Sequence, residues 1–166
     1  MTLPRLSWVR TSLLAGLCLS VLWSLWSVPS TSLSARVVRD VILFVCLPGL
    51  LALSRGRDLG WRVDRRALRN TVALALFVAP FYVVGASLPT IRAYYPMWAT
   101  DTALAQFLPH AAAQFVVAAA AETYYRGLLC VGVRELGFKS VFISPVVYAF
   151  HHVHKPPIEL LLSAPT

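Results

Sequence analysis

Long apolar stretches alternate with short polar ones along this chain. Their approximate bounds are 11–28, 37–54, 71–88, 103–126, 141–150 and 158–162. The first four are close to the roughly 20 residues that a helix needs to cross about 30 Å of hydrocarbon. The pattern therefore predicts an all-α protein, a polytopic transmembrane helix bundle of about five helices plus the start of a sixth.

Composition and charge agree with a membrane location. Of the 166 residues, 58% are hydrophobic and 13% are charged, whereas about 25% are charged in an ordinary soluble domain. The net charge is +8, which in a soluble protein would suggest nucleic acid as the partner. Here the arginines lie between apolar stretches, so we expect lipid headgroups as their partners and no nucleic acid.

The arginines also predict an orientation. Six of them fall within the connecting stretch 55–69: Arg55, Arg57, Arg62, Arg65, Arg66 and Arg69. Basic loops are retained on the cytoplasmic side, which predicts a cytoplasmic amino terminus and a cytoplasmic 55–69 loop. The stretch 89–101, with its tyrosines and Trp98, then lies outside and resembles an interfacial aromatic cluster.

Two parts of the chain are expected, residues 1–102 with about three spans and residues 103–166 with the candidate chemistry. The first apolar stretch follows Arg5 and Arg10 as a signal peptide would, with small residues near Ser34. Its length and the further spans favour a retained helix. The sixth stretch stops at Thr166, so the chain is expected to be cut short.

Ionisable groups within membrane helices are costly and mark cavities or partners. Glu122 and Arg126 are four residues apart and therefore share a helix face, together with Tyr125. One interpretation is a structural ion pair. The other is a carboxylate that takes a proton from water while the arginine holds it in place.

Three histidines, His151, His152 and His154, follow the fifth apolar stretch. A polar helix end at the interface explains one of them easily and three less well. His151 and His154 share a helix face and His152 points elsewhere. His110 is separated from Glu122 by 12 residues, roughly 18 Å of helical rise, and is a poor candidate for the same site.

The cysteines offer no second site. Cys18, Cys46 and Cys130 lie in separate apolar segments, without the close spacing of a metal site or a redox pair. We expect them to be small buried hydrophobic residues.

From Ala103 to Thr166 the chain resembles the CAAX protease and bacteriocin-processing (CPBP, or Abi) intramembrane proteases, which include Ras-converting endopeptidases. Their first motif, Glu-Glu-x-x-x-Arg followed by Gly, is similar to 121–127, Ala-Glu-Thr-Tyr-Tyr-Arg-Gly. Their second motif, Phe-x-x-x-His, is similar to 148–152 with tyrosine first, and 152–154 is similar to the His-x-His of Ras-converting members. The register 150–154 also fits, but only 148–152 brings His-x-His into place.

The resemblance implies an endopeptidase in which Glu122 and His152 activate water to cleave a membrane-anchored peptide, prenylated or carrying a sorting signal. Arg126 would steady the carboxylate, and His154 would act from behind the reacting groups or on the oxyanion side. It implies a bacterial inner (plasma) membrane location and no cofactor. Zinc, once assigned to this family, would need His and Glu ligands at about 2.0 to 2.2 Å.

Two departures from the family pattern leave alternatives open. Ala121 replaces the first motif glutamate, and the third motif, His-x-x-x-Asn or Asp, would lie beyond Thr166. Loss of an oxyanion donor typically costs about 10² to 10³ in rate. The alternatives are a non-catalytic relative that binds a membrane peptide as an immunity or sorting factor, and a structural membrane subunit in which Glu122 and Arg126 lock two helices.

Overall fold

The computed structural model of the protein describes residues 7–28, 32–98 and 101–152. Within these ranges all regular structure is helical and no strand occurs. The helices are α1 Trp8–Leu25, α2 Leu33–Ser54, α3 Arg65–Ser87, α4 Pro89–Arg92, α5 Leu104–Leu128 and α6 Ile143–Phe150, with a kinked 3-10 segment, Val131–Phe142, before α6. The predicted all-α helix bundle is confirmed.

Four of these helices, α1, α2, α3 and α5, are long and apolar enough to span a membrane. They correspond to the first four apolar stretches of the sequence. The fifth stretch forms only eight residues of α-helix, in α6, and much of the chain before it takes the 3-10 conformation. The predicted start of a sixth helix, 158–162, lies outside the described residues.

Side-chain caps explain where three of the long helices begin. Ser7 and Ser32 accept hydrogen bonds from the backbone N–H groups of Arg10 and Ala35 at the starts of α1 and α2. Asp64 accepts one from the N–H of Ala67 at 2.7 Å, at the start of α3. Each cap satisfies an N–H that has no partner within its own helix.

Two of the long helices contain a π-helical turn. In α2 the turn is Ile42–Cys46, directly before Leu47 and Pro48, and proline has no N–H to continue the α-helical pattern. In α5 the turn is Thr123–Leu128, which contains most of the first motif. Isolated π-helical turns are frequent at functional sites.

The core lies where α1, α2 and α5 meet. Tyr124 is fully buried, stacks on Phe44 with ring centroids 4.4 Å apart, and donates a hydrogen bond to the carbonyl oxygen of Gly16 at 2.7 Å. Leu128 and Leu129 fill the space beside it. Residues from both parts of the chain therefore form one core.

The outer helix faces are strongly apolar. No residue of α3 is buried, although the helix is long and apolar enough to be a membrane span. A helix that is apolar around its circumference suits lipid contact. The expectation that the cysteines are buried is wrong for Cys18 and Cys46, which are exposed on such faces, and Cys130 is partly exposed.

Candidate functional site

The first motif lies at the end of α5, and its carboxylate points outward. Glu122 forms an ion pair with the Nε of Arg126, and the two side chains are 59% and 58% exposed within the bundle. The predicted pairing of these two residues is therefore present. Both belong to one helix, so the ion pair itself connects no second helix.

A shallow cavity of about 360 Å³ lies beside Glu122 and Arg126, bordered by the connection that follows α2. Trp61 of that connection donates a hydrogen bond from Nε1 to Thr123 Oγ1 at 3.2 Å. Thr123 in turn donates to the carbonyl oxygen of Ala119 at 2.9 Å. The arginine-rich stretch is thus attached to the motif turn through one indole.

Gly127, the last residue of the first motif, permits this contact. A Cβ atom added there would lie 2.9 Å from the carbonyl oxygen of Leu59, closer than real Cβ atoms approach a backbone oxygen. Gly60, which follows Leu59 in the sequence, has a φ of +78°, a conformation that glycine adopts without steric cost. The two glycines let the connection lie directly on the motif turn.

The second motif lies at the end of α6, and its histidines occupy different surroundings. His151 Nε2 is 2.6 Å from Ser20 Oγ of α1, and His151 Nδ1 contacts the Tyr125 hydroxyl. A neutral imidazole has one donor and one acceptor nitrogen, so one hydroxyl donates to the ring and the other accepts from it. The ring also stacks on Trp23, with centroids 4.7 Å apart.

His152 is 7% exposed. Its Nδ1 is 2.8 Å from the carbonyl oxygen of Tyr148, one turn earlier, and its ring lies 4.1 Å from the Tyr148 ring between centroids. A bond to a carbonyl oxygen requires a proton on Nδ1, which leaves Nε2 as the acceptor nitrogen of a neutral ring. His154 lies outside the described residues.

A buried charge cluster lies beyond Trp23. Asp40 is fully buried and accepts hydrogen bonds from Trp23 Nε1 at 2.9 Å and from Arg39 Nε at 3.0 Å, and it also pairs with Arg36. The guanidinium carbons of Arg36 and Arg39 lie 4.9 and 4.4 Å from the centroid of a Trp23 ring, within the range of cation–π attraction. The Asp40 carboxylate and the Trp23 ring therefore both stabilise the positive charges of Arg36 and Arg39.

The two motifs meet through Tyr125. Its ring packs against Tyr148 at 5.0 Å between centroids, and its hydroxyl reaches His151. Tyr125 therefore faces the core and not the Glu122 side, contrary to the face predicted for it. The reason is the π-helical turn, which accommodates more residues per turn than an α-helix and so changes which residues share a face.

Glu122 and the histidines belong to separate sets of contacts. Among the described residues, no histidine lines the cavity beside Glu122, while His151 contacts Ser20, Trp23 and Tyr125. Ala121, which stands where the motif that this segment resembles has its first glutamate, packs against the hydrophobic core. Position 121 thus faces inward and position 122 outward.

Sequence reasoning missed two contacts of His151, those with Ser20 and Trp23, and the hydrogen bond of Trp23 to Asp40. Ser20 has a hydroxyl group and Trp23 an indole N–H, and both residues lie within the first apolar stretch. A hydrogen-bonding group in such a stretch was the available signal of a polar contact. Groups of three or more histidine, cysteine or acidic residues able to hold a metal ion do not occur in the part of the chain that the structure describes.

Comparisons of the chain with protein-family models, with curated proteins and with solved structures found no match.

Proposed function

We propose that the chain is an integral membrane endopeptidase of the CPBP type, acting on a membrane-anchored peptide. The observation that supports this is the contact between the two motif segments. Tyr125 of the first motif packs on Tyr148 and reaches His151 at the second. A shared site requires the two motifs to be adjacent in the fold, in addition to following each other in the expected order along the sequence.

In this proposal Glu122 takes a proton from the attacking water, Arg126 holds the carboxylate, and His152 helps to activate the same water. His154 would assist from behind these groups or on the oxyanion side. Proton transfer by a positioned side chain contributes typically about 10² to 10⁴ in rate. The reaction requires Glu122 and an imidazole to contact the same water. Because Glu122 and the described histidines have separate sets of contacts, a rearrangement must bring them together.

The test uses the full chain in membranes together with two reporters, one with a prenylated peptide and one with a membrane-anchored sorting-signal peptide. We expect cleavage of one reporter, reduced at least about 100-fold by Glu122→Ala and by His152→Ala. Glu135→Ala is the matched control, because Glu135 is a half-exposed carboxylate that pairs with Arg57 at 3.4 Å. His110→Ala controls for loss of a histidine.

Cleavage of neither reporter by the unaltered chain contradicts the proposal. So does cleavage that persists in both Glu122→Ala and His152→Ala. An equal loss of cleavage in Glu135→Ala would mean that the assay responds to folding. The assignment of Glu122 as the proton acceptor would then be rejected.

A second candidate function is peptide binding without cleavage, as in an immunity or sorting factor. It is favoured by the inward position of Ala121 and the outward position of Glu122. The test is co-purification of an uncleaved reporter with the full chain. Binding that is unchanged in Glu122→Ala supports this function, and cleavage of the bound reporter rejects it.

We also propose a bacterial inner membrane location with a cytoplasmic amino terminus and with lipid as the partner of the outer helix faces. The supporting feature is the arginine-rich stretch 55–69, which comprises the connection after α2 and the first turn of α3. Basic connections of this length are retained on the cytoplasmic side.

A further inference from the structure

A cavity of about 490 Å³ lies where α3 ends and the chain turns back toward α5. It is at the opposite end of α3 from the arginine-rich stretch, and it is separate from both motifs. Its volume falls within the roughly 300 to 1,000 Å³ of small-molecule sites, which are mostly apolar with a few polar groups. Ala86, Ile91 and Met97 form part of its apolar wall.

Four side chains with polar groups line the same cavity: Arg92, Tyr95, Trp98 and Gln114. The indole Nε1 of Trp98 is buried and has no hydrogen-bond partner among the described residues. A buried donor without an acceptor costs free energy, and buried tryptophan N–H groups normally find a partner. An acceptor supplied by a ligand would remove that cost.

The charge of the lining favours an anion. Arg92 contributes a cation, and no acidic side chain lines the cavity within the described ranges. A phosphate or carboxylate oxygen could accept hydrogen bonds from the guanidinium, the indole and the amide of Gln114. Hydrogen bonds to an ionised acceptor are stronger than those between neutral groups.

The surroundings favour an apolar tail on that anion. Val83 and Val84 on α3 are 72% and 63% exposed, and Phe115, next to Gln114 on α5, is 74% exposed. Both helices are long and apolar enough to span a membrane. Trp98 and the neighbouring tyrosines are residue types enriched at the membrane interface, where head groups meet acyl chains.

We propose that this cavity binds the anionic head group of a lipid-like amphiphile, whose chain lies along the exposed apolar side chains of α3 and α5. The head group accepts from Trp98 Nε1 and pairs with Arg92. A phospholipid phosphate and a fatty-acid carboxylate share this chemistry. The site does not depend on peptide cleavage.

The experiment measures lipid binding to the purified full chain in non-ionic detergent by native mass spectrometry. The probes are phosphatidylglycerol, zwitterionic phosphatidylcholine and oleate. Trp98→Phe keeps the ring and removes the N–H, and Arg92→Gln removes the charge. We expect each to weaken binding of the anionic probe about tenfold, since each removes a hydrogen bond to a charged group.

Arg69→Gln, at the other end of α3, and Trp26→Phe, a tryptophan that is 44% exposed, are the matched controls and should bind as the unaltered chain does. Sensitivity of phosphatidylglycerol binding to Trp98→Phe and Arg92→Gln identifies a phospholipid, and sensitivity of oleate binding identifies a fatty acid. If Trp98→Phe does not purify as a folded species, Gln114→Glu replaces it, and its added negative charge should weaken the anionic probe more than phosphatidylcholine.

Binding of both anionic probes that is unaffected by Trp98→Phe, Arg92→Gln and Gln114→Glu overturns the proposal. A loss in Arg69→Gln as large as in Arg92→Gln also overturns it, because binding would then follow net charge and not this cavity.

Discussion

Trp23 stacks on His151 with ring centroids 4.7 Å apart and planes inclined by 28°. The indole lies between the imidazole on one side and the buried Asp40 cluster on the other, since its Nε1 donates to Asp40. The first helix therefore contacts the end of the second motif and the buried charges of α2 through one side chain. Substitutions in the amino-terminal helices should consequently alter the surroundings of His151.

The first prediction concerns the buried carboxylate. Asp40 is the only acidic side chain that the described ion pairs place against Arg36 and Arg39. Asp40→Asn leaves two guanidinium groups without a counter-charge, and breaking a buried pair in this way costs about 3 to 5 kcal/mol. We expect that loss in the free energy of unfolding, measured by denaturant titration in detergent micelles.

Glu135→Gln is the control for Asp40→Asn, since it removes a half-exposed ion pair with Arg57. Such exposed pairs contribute less than about 1 kcal/mol. A loss for Asp40→Asn no larger than that of Glu135→Gln would show that Asp40 is not held in a buried cluster.

The second prediction concerns the two hydroxyls on His151. Ser20→Ala and Tyr125→Phe each remove one hydrogen bond to the ring, and bonds of this kind between membrane helices average about 0.6 kcal/mol. Because both act on one imidazole, we expect the double variant to lose less than the sum of the single losses, with a coupling of at least about 0.5 kcal/mol.

The measurement for Ser20 and Tyr125 is a double-mutant cycle of unfolding free energies. Ser20→Ala combined with Tyr82→Phe is the control, because Tyr82 is 74% exposed and the two changes should add. Strict additivity of Ser20→Ala with Tyr125→Phe would mean that His151 does not bind both hydroxyls.

The long helices were predictable from sequence because a membrane allows few structures. Backbone groups in hydrocarbon must be paired within the segment, so an apolar stretch of sufficient length, such as 71–88, predicts a helix, observed here as Arg65–Ser87. The residues before α6 were not predictable in this way. Gly137 has a φ of +62° within the 3-10 segment, which interrupts any regular periodicity there.

The candidate site was predictable only where local spacing decides the contact. Glu122 and Arg126 pair at the spacing of four residues from which their contact was expected. The side chain of Tyr125 points into the core because of a π-helical turn, and the residue pattern does not predict that turn. The contacts of Trp23 with Asp40 and His151 join distant parts of the chain, and one sequence does not contain that information.

The third prediction concerns orientation in the membrane. A reporter phosphatase that is active only outside the cytoplasm is joined after residue 62 or after residue 94. The arginine-rich stretch favours the cytoplasm, so we expect no activity at the first position and activity at the second. The measurement is whole-cell phosphatase activity, normalised to the amount of fusion protein, and the opposite pattern would show that the amino terminus lies outside.

The last prediction concerns Gly127. A methyl group at this position meets the backbone carbonyl of Leu59 at 2.9 Å, and a backbone oxygen moves less readily than the end of a side chain. Gly127→Ala should therefore displace the connection that carries Trp61 and weaken its bond to Thr123. We expect a loss of about 1 to 3 kcal/mol, the usual cost of overpacking, and faster proteolytic nicking between residues 55 and 64.

Gly85→Ala is the matched control, because Gly85 is also helical and its added methyl group would meet no atom within 4 Å. Relief of glycine flexibility in a helix is worth roughly 0.5 to 1 kcal/mol, so Gly85→Ala should be neutral or slightly stabilising. Equal stability of the two variants, with equal nicking rates, would mean that the connection does not lie against the motif turn. The cavity beside Glu122 is bordered by that same connection, so a displacement of the connection by Gly127→Ala should also change the shape of this cavity.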